Sequence, residues 1–135
     1  MCRFEACWDP LKNSVAKNCI FTANVKPEIG KDRPVIVIYA HKRAKLALII
    51  PFTTQTPTEE IINALCIPVG IMPGVLSKKE CWALCDMIQV VSIDRLHYIY
   101  DGSKDTYKRR LDSNEAFLPM EYFQQITAKI HKVIG

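Results

Sequence analysis

No apolar run in this 135-residue chain is longer than Leu46–Phe52. That is far short of the ~20 residues that span a bilayer. The first fifteen residues, MCRFEACWDPLKNSV, are broken by charges and hold no apolar leader segment. No membrane association is expected, and the expected location is cytoplasmic. Without a leader, the six cysteines (Cys2, Cys7, Cys19, Cys66, Cys81, Cys85) read as reduced thiols, mostly in the core, and not as a disulfide framework. Neither Cys2/Cys7 nor Cys81/Cys85 has the CxxC spacing of a zinc knuckle, so no metal site is expected. The three histidines, His41, His97 and His131, cannot be placed as a pair, which leaves two-histidine ribonuclease chemistry unsupported. No Ser/His/Asp or Cys/His arrangement stands out, nor any phosphate-cradling glycine motif, and no cofactor is expected.

What the chain has is apolar content and a local positive charge. Hydrophobic residues make up 49%, enough for one core, and the length predicts a single domain over 1–135. The net charge of +4 resides in Lys26–Lys45. There Lys26, Lys31, Arg33, Lys42, Arg43 and Lys45 face only Glu28 and Asp32. Lys104, Lys108, Arg109 and Arg110 form a second cluster. Local positive charge suits a polyanion partner, and it equally suits two solvated loops.

Asn18–Val25 alternates as a strand does. Val35–Ala40 and Leu46–Phe52 are near-continuous Val/Ile/Leu runs around a basic turn at Arg43, a hairpin covered on both faces. Thr56-Pro-Thr-Glu59 has capping-box form, and Ile62–Val69 reads as either strand or helix. Pro68, Gly70, Pro73 and Gly74 make a turn-rich link. Trp82–Val91 reads as one strand with Asp86 inside it, and Leu96–Tyr100 as another ending at Asp101-Gly102. Pro119–Ile134 is a helix with an apolar stripe at Tyr122, Phe123, Ile126, Ile130, Val133 and Ile134. Trp82 reads as core, although Trp82, Tyr98 and Tyr107 are also aromatics able to stack bases. The fold class is α+β, mainly β: a small barrel-like sheet closed by a C-terminal α-helix.

The hairpin implies a site. An unbroken register pairs Ala40 with Leu46, Pro34 with Phe52 and Arg33 with Thr53. Arg33 and Thr53 would then meet at one rim of the sheet. A guanidinium matches phosphate oxygens bidentately, and a hydroxyl beside it can donate to phosphate or relay a proton. RNA carries its own nucleophile, the 2′-OH, so aligning it and stabilising charge on the phosphoryl oxygens suffices for cleavage without a metal. Arg33 capping a strand and Thr53 bonding in a turn are the plainer readings of the same residues.

Three blocks resemble the MazF/PemK (Kid) toxins of type II toxin–antitoxin systems. They are Glu28-Ile-Gly-Lys-Asp-Arg33-Pro34-Val-Ile-Val-Ile, Ile50-Pro-Phe-Thr53-Thr54-Gln55, and Ala83-Leu-Cys-Asp86-Met-Ile-Gln-Val-Val-Ser-Ile-Asp-Arg-Leu96. The C-terminal helix falls where the family has one. The resemblance covers roughly 18–135 and leaves 1–17 as an N-terminal extension. It implies an SH3-like β-barrel of the plasmid-maintenance-toxin type, usually a homodimer, and a cognate antitoxin whose acidic tail folds on binding. It also implies a metal-independent, sequence-specific endoribonuclease cutting single-stranded RNA to 2′,3′-cyclic phosphate and 5′-OH ends. The family's catalytic arginine falls on Arg33 and its threonine on Thr53, with Thr54 a substitute if the register slips. The acidic residue that some members use falls on Asp86, with Glu28 second. Lys31, Thr54, Gln55, Lys42 and Arg43 are the expected RNA contacts.

The chain departs from the family where Asp86-Met87 stands for the common Asp-Gln, and in a shorter loop before Arg33. Two other classes fit the same chain. One is a toxin of this fold that binds a protein such as gyrase; the other is an inactive member that binds RNA or protein.

Overall fold

The computed structural model describes residues 17–25, 32–57, 63–100, 111 and 115–134. Its elements are strands β1 (Ile20–Asn24), β2 (Asp32–His41), β3 (Leu46–Thr53), β4 (Ala64–Ile67), β5 (Cys81–Leu84) and β6 (Gln89–Ser92), then helix α1 (Met120–Ile134). They form one six-stranded antiparallel sheet in the order β1-β2-β3-β5-β4, with β6 also paired to β3. The α+β, mainly β class with a C-terminal helix holds, and the sheet is open: among the described residues β1 and β4 end it without meeting. No helix among these residues is long and apolar enough to cross a membrane.

The Val/Ile/Leu runs become β2 and β3 because both faces of this hairpin are buried over most of its length. Ile20, Ile36, Ile50 and Phe52 lie in one apolar cluster with Phe123, Ile126 and Ile130 of α1. Phe21, Ala23, Val35, Val37 and Ile49 lie in a second, with Ile93, Leu96 and Tyr98. Of the α1 stripe predicted from the sequence, Phe123, Ile126 and Ile130 are buried in the core, Tyr122 packs against it, and Val133 is exposed. Glu121 in its first turn and His131 and Lys132 in its last suit the helix dipole. Asn18 adopts a left-handed conformation (φ 63°) that asparagine tolerates. It ties the sheet to the helix approach, its Nδ2 donating to the Leu118 carbonyl at 3.1 Å.

The hairpin is not in the unbroken register. Val35, Ile36 and Val37 oppose Pro51, Ile50 and Ile49 as expected, but Tyr39, Ala40 and His41 oppose Leu48, Ala47 and Leu46. The shift falls between Val37 and Tyr39, so Ala40 pairs with Ala47 and not with Leu46. One extra residue at Ile38 turns every later side chain of β2 to the other face. Tyr39, Leu48 and Val90 therefore form a cross-strand row on a face that α1 leaves open. Tyr39 is 60% and Val90 62% exposed, and Leu46 near them 42%.

Two further expectations change. Trp82–Val91 is two strands, because the Met87 N–H bonds to the Leu84 carbonyl (3.0 Å) and turns the chain. β3 pairs with β6 through Leu46–Ile49 and with β5 through Phe52 and Thr53. Pro51, which has no N–H to donate, stands at the changeover. Asp86 thus lies exposed in a turn and not inside a strand. Leu96–Tyr100 is not a strand either. It follows a short 3-10 turn at Ile93–Arg95 and pairs with β1 through the isolated bridge of Thr22 with His97. Within Ile62–Val69, Ala64–Ile67 forms β4, and Ile62 lies outside the described residues. Thr58, Glu59, Asp101, Gly102 and the cluster 104–110 lie outside the described residues.

The described cysteines Cys19, Cys66, Cys81 and Cys85 form no disulfide, and all are buried except Cys66. Burial pushes the Cys85 thiol up to about 11, with Lys129 opposing and Asp86 adding to the shift. It is an inert core thiol at neutral pH.

Candidate functional site

Arg33 is the second residue of β2 and Thr53 the last of β3. Side chains alternate faces along a strand, and opposed residues share a face. With Val35 opposite Pro51 and Val37 opposite Ile49, Arg33 and Thr53 project to the same side. The proximity is direct: Arg33 Nη1 donates to the carbonyl oxygen of Phe52 at 3.4 Å. Asp32, Arg33, Pro34, Phe52, Thr53, Thr54 and Gln55 line an open groove of about 220 Å³.

The Thr53 hydroxyl is oriented. Its oxygen accepts from the Gln55 N–H at 3.2 Å. With a lone pair so engaged, the hydroxyl keeps its proton to donate elsewhere. Arg33 is half-buried, which holds its planar fork at the rim of the groove. A guanidinium cation and an oriented O–H over an open groove suit a phosphate anion.

The groove rests on a fold with known counterparts. A MazE–MazF crystal structure from Deinococcus radiodurans superposes with a TM-score of 0.56 at 14% identity, covering 89% of this chain and 95% of that one. The Mycobacterium tuberculosis toxin MazF-mt6 gives 0.51 at 13% identity over 87% and 92%. A Haemophilus influenzae protein of uncharacterised function is 29% identical over 122 residues, 87% of this chain and 78% of its own length. The family model described as PemK-like, MazF-like toxin of type II toxin–antitoxin system matches residues 17–134. The chain belongs to this family.

Within the PemK/MazF frame the other candidates scatter. Thr54 and Gln55 line the groove and are exposed. Asp86 does not line it; it follows Cys85 in the turn after β5 and adds to the upward shift of that thiol. Lys42 and Arg43 occupy the hairpin turn, at the opposite end of β2 and roughly 30 Å from Arg33 at strand rise. Glu28, Lys31 and Tyr107 lie outside the described residues. Among those described, no group of three or more His, Cys, Asp or Glu could share a metal ion.

Sequence reasoning misplaced some aromatics and passed over others. Trp82 is only half-buried, and it opposes Thr53 across β3 and β5, so its indole is on the same face as the hydroxyl. Tyr98 is buried against Phe21, with ring centroids 5.4 Å apart, and is a core residue. His41 accepts from the Ala44 N–H through Nδ1 and closes the hairpin turn. Asp32 read as one of two acids in a basic stretch, yet it lines the groove. Only the pairing of β2 with β3 gives it that place.

Proposed function

We propose that the protein is a metal-independent endoribonuclease toxin that cuts single-stranded RNA at a preferred sequence and so stops translation. The observation that carries this reading is the shared groove of Arg33 and Thr53. The scissile phosphate binds there. The 2′-OH attacks the adjacent phosphorus, the bond to O5′ breaks, and the products are a 2′,3′-cyclic phosphate and a 5′-OH. Arg33 stabilises the charge that builds on the phosphoryl oxygens and supplies a proton to the departing O5′. Thr53 donates its O–H to a nonbridging oxygen and fixes the phosphate. Glu28 is the acidic group proposed to take the 2′-OH proton; Asp86, which does not line the groove, is not placed to take it.

The partners belong to the same proposal. An acidic antitoxin is supported by the family and by a structural neighbour solved as MazE–MazF. A homodimer is supported by the exposed Tyr39 and Val90, which flank the half-buried Leu48. A cytoplasmic location follows from the proposed substrate, mRNA.

Long single-stranded RNA incubated with the protein and excess EDTA tests the reading. Cuts at a short recurring motif with cyclic-phosphate ends are expected. A folded protein that cuts nothing across a broad RNA pool removes the ribonuclease reading and leaves the protein-binding toxin. Thr53→Val keeps the shape and removes the hydroxyl, so kcat should fall on the order of tenfold to a hundredfold, while Thr53→Ser should retain most activity. Neutralising Lys42 and Arg43 together should slow RNA association a few-fold at low salt and not at high salt. At ~30 Å these charges are screened at physiological salt, where the Debye length is about 8 Å, and reach the groove only at low ionic strength, where it grows to about 30 Å.

A further inference from the structure

A second cavity, of about 390 Å³, adjoins the groove. Thr22, Asp32, His97 and Tyr100 line it together with the apolar Leu76 and Ile99. Asp32 lines both cavities, so they share a wall. Asp32 opposes Asn24, and Pro34 opposes Thr22, across β1 and β2. By strand alternation Asp32 therefore faces the Thr22 side, away from Arg33.

An exposed carboxylate beside a phosphate-binding arginine repels the RNA backbone. What a carboxylate does accept from RNA is the N–H of a base edge. Guanine presents N1–H and N2–H side by side, a match for two carboxylate oxygens; the other bases offer no such pair of parallel donors. The cavity lies in the ~300–1,000 Å³ range of small-ligand pockets, room for a nucleoside and not for a folded partner. Tyr100 is 40% exposed at its edge and offers a π-face for stacking.

We propose that this cavity is a base-selecting subsite, in which a guanine of the RNA donates two N–H bonds to Asp32 and stacks on Tyr100. The proposal rests on the ribonuclease reading and adds a specificity determinant to it. Asp32→Asn keeps the shape and replaces one acceptor oxygen with an N–H donor. Tyr100→Leu removes the ring.

The test is a randomised RNA library cut by wild type and both variants, with all ends sequenced and folding checked by circular dichroism. A 2′-O-methyl copy of the library, which cannot be cut, is selected for binding in parallel. Wild type should show guanine at one fixed offset from the cut. Inosine there, which lacks the 2-amino group, should slow wild type roughly tenfold. Asp32→Asn should lose the guanine preference and be indifferent to inosine, and Tyr100→Leu should weaken the preference. A cut map for Asp32→Asn that keeps the wild-type guanine, or a wild-type map without guanine at any fixed position, overturns the proposal. If wild type cuts nothing, the ribonuclease reading falls. The bound library then decides the subsite: guanine enrichment lost in Asp32→Asn supports it, and equal or absent enrichment overturns it.

Discussion

Arg33→Ala is expected to lower kcat for RNA cleavage on the order of 10²–10³-fold, the scale for removing one preorganised donor to a developing oxyanion. The variant should fold. The side chain is half-buried, and its bond to the Phe52 carbonyl, at 3.4 Å, is long. Losing such a bond costs about 1–3 kcal/mol. Arg33→Lys should recover only part of the loss, since an ammonium keeps the charge and lacks the two-pronged fork. Single-turnover cleavage of one oligonucleotide, with unfolding midpoints measured beside it, checks both statements. A folded Arg33→Ala within tenfold of wild type would move the phosphate site elsewhere.

Phe52→Ala should cost about 3–5 kcal/mol of stability. Phe52 is fully buried and packs in the cluster that joins β1, β2 and β3 to α1. Domains of this size are stable by about 5–15 kcal/mol in total, so the change removes much of the margin. Activity should fall with it, as Thr53 follows Phe52 directly in β3 and takes its position from that packing. Val90→Ala, at an exposed position of β6, should stay within about 0.5 kcal/mol. Urea unfolding of the three proteins measures both differences. Equal midpoints for Phe52→Ala and wild type would mean that β3 and α1 do not share one core.

The helix was legible because fifteen residues of regular 3.6 periodicity, a proline at the start and basic residues at the end all agree. The hairpin was legible because two Val/Ile/Leu runs flank a basic turn. The break at Cys85-Asp86 was not. No glycine or proline marks it, and the alternation continues through it. Its cause is long-range: β3 runs beside two different strands, and the chain must turn to serve both. Leu96–Tyr100 misled for a similar reason. It is apolar because it packs over Phe21, not because it extends the sheet.

The candidate site divides in the same way. That Arg33 and Thr53 face one another follows from the hairpin, since antiparallel pairing brings the two ends together and alternation settles the face. Both are local rules that residue order can express. The one-residue shift at Ile38, which leaves Tyr39 at the surface, is invisible to those rules. So is the place of Asp32 between two cavities, because His97, Tyr100 and Leu76 come to it from distant parts of the chain. By itself the sequence determined the strands of the hairpin, the closing helix and the meeting of an arginine with a threonine. Tertiary structure alone decided which acids stand near them and which apolar residues stay uncovered. Contacts between distant segments are selected by packing of the whole core, and no short window of residues records that packing.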